Sequence, residues 1–316
     1  MMDLTISIGS LGKIDLLRRC LRSVFEEDAP GFSFEVRIVY NGPGGDGVCE
    51  SIPKEFPQVA LSWAARAPLG YCGTHNVVLR DASGRYVLLL DDDTILPKGT
   101  LPAMVRFMDE HPRAGIAGCK TLNSDGSFQP TFGLRPNLKT EVRNIFKSTS
   151  YLPASLYREV DSVRHVEFLN GHFLLARSEA VRQVGVLDEY YYTHISEADW
   201  CYRLEKAGWQ VLYVPVATIV HTGGEYSTVN SRSAMKKYEH IVRAHVNRFY
   251  FFHKHYSPWK LFALRPVMAL SSAARVLFFS VIYLIHRDQR PIAATRVRAF
   301  RRIIGISFSR RPYRIP

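Results

Sequence analysis

An apolar run, Tyr86-Val87-Leu88-Leu89-Leu90, ends in three consecutive aspartates, Asp91-Asp92-Asp93. An uninterrupted apolar run fits a strand buried on both faces, the kind that a parallel sheet covers with helices. Such a strand delivers three like charges to its own exit, where they repel one another unless a cation joins them. Hard divalent ions such as Mg²⁺ and Mn²⁺ take oxygen ligands and bridge carboxylates to phosphates. The block therefore points to a metal-assisted phosphate site; the alternative is a solvated acidic turn.

The surrounding pattern supplies the sheet. Thr5-Ile6-Ser7-Ile8 reads as a first strand, and residues 14–25 carry apolar side chains at helical spacing. Residues 34–40 alternate like a strand, closed by the glycine-rich turn at 41–47. A strand at 59–63, a helix at 73–82 and a helix at 97–110 complete a β-α-β-α-β order around the aspartates. That order predicts a parallel sheet with ligands at the strand C-terminal ends. Residues 120–165, rich in glycine and proline, read as a loop-rich connection. Strands at 173–176 and 211–214 and helices at 178–184 and 197–207 follow.

Net charge divides the chain of 316 residues. Residues 232–316 hold 18 Lys and Arg against 2 acids, a net +16, while residues 1–231 hold 23 bases and 27 acids, a net −4. We expect a catalytic domain over 1–231 and a basic amphipathic helical extension over 232–316. The basic part seeks an anionic surface. No nucleic-acid motif accompanies it, so an anionic membrane surface is the expected partner and nucleic acid is not. From Val267 to Ile285 the only charge is Arg275. This run is close to the ~17–20 residues a spanning helix needs, but an arginine at the bilayer centre costs roughly 2.5–3.5 kcal/mol. Helices lying in the membrane interface fit better than a span; an ordinary helical subdomain is the third option. Met1 to Ile8 has no basic leader, and the five cysteines form no CxxC pair. Both fit a cytoplasmic protein, peripheral on the inner face of the membrane.

Four stretches resemble the family 2 glycosyltransferases of the GT-A fold, in particular their bacterial rhamnosyltransferase-like branch. They are Leu69-Gly70-Tyr71-Cys72-Gly73-Thr74-His75-Asn76, then Gly84 through Thr94 with the aspartates. Next come Val184-Gly185-Val186-Leu187-Asp188-Glu189 with Glu197-Ala198-Asp199-Trp200-Cys201-Tyr202-Arg203 and Ala207-Gly208-Trp209, and last Val214-Pro215 with His221-Thr222-Gly223-Gly224. The resemblance covers roughly residues 3–225. It departs at Ser10-Leu11-Gly12, and at Tyr40, where relatives carry an aspartate that helps hold the nucleobase.

The resemblance implies an α/β GT-A fold, a mostly parallel sheet flanked by helices, and an inverting transfer that needs Mn²⁺ or Mg²⁺. It implies that Asp93 binds the metal, that Asp91 lies near the ribose and metal-bound waters, and that His221 joins the metal or the diphosphate. Asp92 has no fixed role and is expected on the donor side, or as a cap of the turn. Gly70, Gly73, Asn76 and Tyr40 are expected on the donor side; Asn170, Gly171, His172 and Trp200 on the acceptor side. Glu197 is the expected base for the acceptor hydroxyl, with Asp199 the alternative, since residues i and i+2 on a helix point apart. Asp199 could instead orient Arg203. The implied donor is a dTDP- or UDP-sugar, and the acceptor a glycan or a polyprenyl-diphosphate-linked precursor. Two other readings remain: a catalytically silent GT-A protein serving as a membrane-bound assembly partner, and a nucleotidyltransferase. The latter's glycine-rich, arginine-containing loop is not matched by Ser10-Leu11-Gly12-Lys13.

Overall fold

The computed structural model describes residues 2–11, 14–27, 32–42, 45–63, 69–145, 160–222 and 234–313. Gly12, Lys13, Gly223, Gly224 and the boundary at residues 231–232 lie outside them. The chain forms two compact units, one of Met1–Gly133 with Ala154–Gly223, the other of Leu134–Pro153 with Gly224–Pro316.

The first unit begins with β1 (Leu4–Ser10), α1 (Ile14–Phe25), β2 (Phe34–Tyr40), α2 (Gly45–Glu55), β3 (Val59–Trp63), α3 (Gly70–Leu79) and β4 (Tyr86–Asp91). It continues through β5 (Thr94–Ile95), α4 (Thr100–Glu110), β6 (Ala114–Leu122), β7 (Phe128–Gln129) and β8 (Phe132–Gly133). After α5 (Leu138–Arg143), which belongs to the second unit, come β9 (Arg164–His165), β10 (Phe168–Leu169), β11 (Phe173–Arg177), α6 (Ser178–Val184), α7 (Ser196–Lys206) and β12 (Gln210–His221).

The main path of the sheet runs β3-β2-β1-β4-β11-β6-β12-β5. β1, β2, β3 and β4 are mutually parallel, as are β6 and β12. The chain builds outward from β1 to β3 and then returns to lay β4 on the other side of β1, so the strand order reverses beside the exit of β4. In open α/β sheets the crevice at such a reversal is where ligands bind. The core explains why β4 is central: Val87 to Leu90 are fully or almost fully buried, and Leu17, Leu21 and Val24 of α1 and Met104 and Met108 of α4 belong to the same buried core. Burying each large side chain contributes about 1.5–3 kcal/mol, enough for the strand to hold an acidic end in an unfavourable place.

The sheet is mostly parallel, as expected, with β11 running antiparallel to both β4 and β6. Three expectations need correction. Residues 120–145 are more ordered than a loop, containing the end of β6, then β7, β8 and α5. Residues 45–55 form α2, whose start overlaps the turn expected at 41–47. Helix α3 starts at Gly70, three residues earlier than its periodicity suggests; the Asn41 side chain accepts the Leu69 N–H at 3.2 Å and fixes that start.

The second unit is helical: α5, then α8 (Ala234–His255), α9 (Pro258–Ile285) and α10 (Arg290–Ser307). At 1.5 Å per residue, α9 is about 42 Å long. It is long and apolar enough to cross a membrane by length and composition. Leu264, Met268, Ser271, Ser272, Arg275 and Phe279 share one helical face and are buried. Trp259, Phe262, Leu270, Leu277, Val281 and Leu284 share the opposite face, each more than half exposed. Arg275 therefore does not interrupt the exposed apolar stripe. Its guanidinium donates to Ser271 O and to Asn144 O, both at 3.0 Å, and lies over the Phe300 ring.

Candidate active site

The exit of β4 meets the end of β12. Pairing of β12 with β5 sets His221 opposite Thr94. The Thr222 N–H and hydroxyl both donate to Asp93 O, at 3.0 and 2.9 Å, and tie the turn after β4 to this strand end. As a result His221 Nε2 lies 3.1 Å from Asp93 Oδ1 and 3.8 Å from Asp91 Oδ2. One ligand atom from each of Asp91, Asp93 and His221 falls within 4.8 Å of the others. Neighbouring ligand atoms of an octahedral ion bound at ~2.1 Å are about 3 Å apart, so this donor set fits Mn²⁺ or Mg²⁺. Burial, then the adjacent Asp93 carboxylate, push Asp91 well above the usual carboxylate range. Burial disfavours a charged His221, but its hydrogen bond to Asp93 and the charge of Asp91 hold its pKa above the ordinary histidine value. A divalent cation would relieve the crowding of negative charge that contributes to both shifts.

His172 completes this side. Its ring stacks on that of His221, centroids 4.7 Å apart at 15°, and its Nε2 is 2.9 Å from Thr121 Oγ1. Burial keeps it neutral, with a pKa well below the usual value. It thus stands beside the acid cluster. The main chain of His172 also accepts the Asp91 N–H at 3.3 Å.

Glu197 opens α7. Gly171 explains its approach: a Cβ there would lie 2.8 Å from Glu197 Oε1 and 2.7 Å from the Tyr71 hydroxyl. Tyr71 donates to Gly171 O at 2.9 Å, and Ser196 Oγ donates to Glu197 Oε2 at 2.9 Å. Burial raises the Glu197 pKa, and its charge acts on both Asp91 and Tyr71. Glu197, Gly171 and Tyr71 therefore adjoin the acid cluster. Tyr71 lay inside a quoted motif, yet its role was not legible there, because its partner is 100 residues away.

The other residues fall into supporting positions. Asp199 is fully buried; it accepts from Arg203 Nε at 2.9 Å and from the Tyr191 hydroxyl at 3.2 Å. Arg203 also donates to Val184 O and Val186 O, and Trp200 Nε1 donates to Gly185 O. This group clamps the end of α6 to α7. Asn76 bonds both main-chain groups of Leu187, and its amide also reaches Glu189. Asn170 is tied to Pro130 O by its side chain at 2.7 Å. Gly70, at φ +63°, sits where a Cβ would lie 2.5 Å from Tyr192 O. Gly73 faces Leu69 of its own helix start. Tyr40 is buried at the end of β2, its hydroxyl beside Gly42, and Asp92 occupies the turn between β4 and β5.

A mostly parallel sheet with an acid–histidine cluster at its order reversal is the GT-A arrangement of nucleotide-sugar transferases. The model described as Glycosyltransferase like family 2 matches residues 3–239, and the chain belongs to this family. It is 28% identical over 247 residues, 73% of this chain and 78% of the relative, to N-acetylglucosaminyl-diphospho-decaprenol L-rhamnosyltransferase of Mycobacterium tuberculosis. Two solved structures share the fold. The mannosyltransferase PcManGT from Pyrobaculum calidifontis, in complex with GDP-Man and Mn²⁺, has TM-score 0.55 at 16% identity, covering 97% of this chain and 88% of that one. S. aureus TarS 1-349 has TM-score 0.51 at 15% identity, covering 96% and 90%.

The two carboxylates of α7 should separate by stability. Breaking a buried ion pair costs about 3–5 kcal/mol, so Asp199→Ala should lower the melting temperature by several degrees. Glu197→Ala, which removes a half-buried carboxylate outside the clamp, should not. Equal melting temperatures for parent and Asp199→Ala would refute the clamp.

Proposed function

We propose that this glycosyltransferase is metal-dependent and inverting, and that it moves rhamnose or a similar sugar from a dTDP- or UDP-linked donor to a polyprenyl-diphosphate-linked or related glycan acceptor. The observation that carries the reading is the meeting of Asp91, Asp93 and His221 at the sheet's order reversal, with Glu197 adjoining. Asp93, His221 and Asp91 would hold Mn²⁺ or Mg²⁺, which supplies positive charge to the departing diphosphate. Glu197 takes the proton of the acceptor hydroxyl as its oxygen forms a bond to the anomeric carbon. The bond from that carbon to the nucleoside diphosphate breaks on the opposite face, which inverts the configuration. Burial of Glu197 suits it to the task, since a base works best with a pKa near the working pH. The rhamnosyl donor and the lipid-linked acceptor are supported by the mycobacterial relative's name.

We further propose that the protein works peripherally on the inner face of the cell membrane. Support comes from the unbroken apolar stripe on the exposed side of α9 and from the basic residues that follow it, including Arg287, Arg290, Arg298, Arg301 and Arg302, all exposed. An apolar helix face beside clustered arginines suits an anionic leaflet, each arginine near the surface contributing about 1 kcal/mol.

Two outcomes check these readings. Glu197→Gln should lower kcat by roughly 10²–10⁴-fold and leave nucleotide-sugar binding intact. In the parent, kcat should fall as pH drops through the raised Glu197 pKa, because the protonated acid accepts nothing; an acid limb at or below the ordinary glutamate value of 4.5 would contradict the assignment. The full chain should sediment with vesicles containing phosphatidylglycerol, and Phe262→Glu combined with Leu277→Glu should stay in the supernatant. Unchanged sedimentation of the double variant would remove the membrane face from α9.

A further inference from the structure

We infer that Gln129 is the positioning residue for His221, fixing the ring so that its Nε2 lone pair faces Asp91 and Asp93. The inference rests on the metal-dependent reading above. Gln129 ends the two-residue strand β7, where pairing with β6 sets it opposite Thr121. Its amide straddles His221 Nδ1, with Oε1 at 3.1 Å and Nε2 at 3.0 Å. The cross-strand pair therefore grips two stacked rings at once: Thr121 bonds the His172 imidazole and Gln129 bonds that of His221.

The chemistry follows from the two ring nitrogens. An imidazole can offer Nε2 to a cation only when its remaining proton sits on Nδ1, and that proton needs an acceptor. Gln129 Oε1 supplies one. When Nε2 instead carries the proton and donates to Asp93, the amide nitrogen of Gln129 can donate to Nδ1. One side chain thus serves both tautomers, and a cation arriving at Nε2 finds the ring already aimed. Outer partners of ligating histidines typically change metal affinity by 10–100-fold when removed. Nothing in the local sequence, Ser127-Phe128-Gln129-Pro130, marks this role; it arises only from the β6–β7 register.

The test titrates the full-length protein with Mn²⁺ alone, following the free ion by electron paramagnetic resonance. Gln129→Ala should bind Mn²⁺ 10–100-fold more weakly than the parent, with an unchanged melting temperature in EDTA. Gln129→Glu, whose carboxylate accepts the Nδ1 proton, should bind as tightly as the parent or more so. Nitrogen-15 spectra of the Mg²⁺-loaded parent and Gln129→Glu should show His221 protonated at Nδ1. Should Gln129→Ala unfold, Gln129→Met, of similar volume and without the amide, takes its place. Parent-like affinity in the variant lacking the amide, or Gln129→Glu as weak as Gln129→Ala, would overturn the assignment. A parent that binds no Mn²⁺ would refute the metal reading itself, and the role of Gln129 with it.

Discussion

Like charges at the exit of a buried strand are the constraint around which the first unit is built. β4 lies in the centre of the sheet because its side chains are apolar on both faces, and its end carries Asp91 to a half-buried position beside Asp93 and His221. Burial and the second carboxylate of Asp93 drive the Asp91 pKa upward, so the free site is electrostatically uncomfortable. The fold answers with β12, whose pairing to β5 delivers His221 to the same point. A cation bound among these acids would relieve their mutual repulsion.

The carboxylates of α7 divide by burial. Two residues apart on one helix, Glu197 faces Gly171 and Tyr71, whereas Asp199 turns inward to Arg203 and Tyr191. The first has a pKa raised by burial and packs closely against a glycine; the second is held within a hydrogen-bonded clamp. Trp200 and Arg203 belong to that clamp, which ties α7 to the end of α6. Within this motif-like stretch, Asp199, Trp200 and Arg203 are thus held in the clamp, and Glu197 lies outside it.

Much of this was legible before any coordinates. The apolar run and its aspartates, the first helix and the order of the early strands follow from periodicity alone. Strand β6 was not legible, because its Ala-Gly-Ile-Ala-Gly-Cys sequence lacks the bulky β-branched residues that mark a strand. α2 was hidden by its opening glycines and its internal Pro53. The direction of β11 depends on the route through residues 120–165, which no local pattern encodes. Arg275 shows the opposite failure: in linear sequence it interrupts an apolar run, whereas at 100° per residue it falls opposite the exposed stripe. The contacts of His172 and Gln129 involve partners distant in the chain, so residue type and spacing could not show them, whereas Asp199 bonds Arg203 four residues on, as its spacing allowed.

The central claim is that Asp91, Asp93 and His221 hold a divalent ion at the donor diphosphate. Crystals of the full chain grown with Mn²⁺ and a nucleoside diphosphate, measured at the manganese absorption edge, test it directly. The account predicts an anomalous peak about 2.1–2.3 Å from ligand atoms of Asp93 and His221, with Asp91 beside it and the diphosphate oxygens completing the shell. A nucleotide bound at the exit of β4 with no manganese there, or manganese held by other residues, would contradict it.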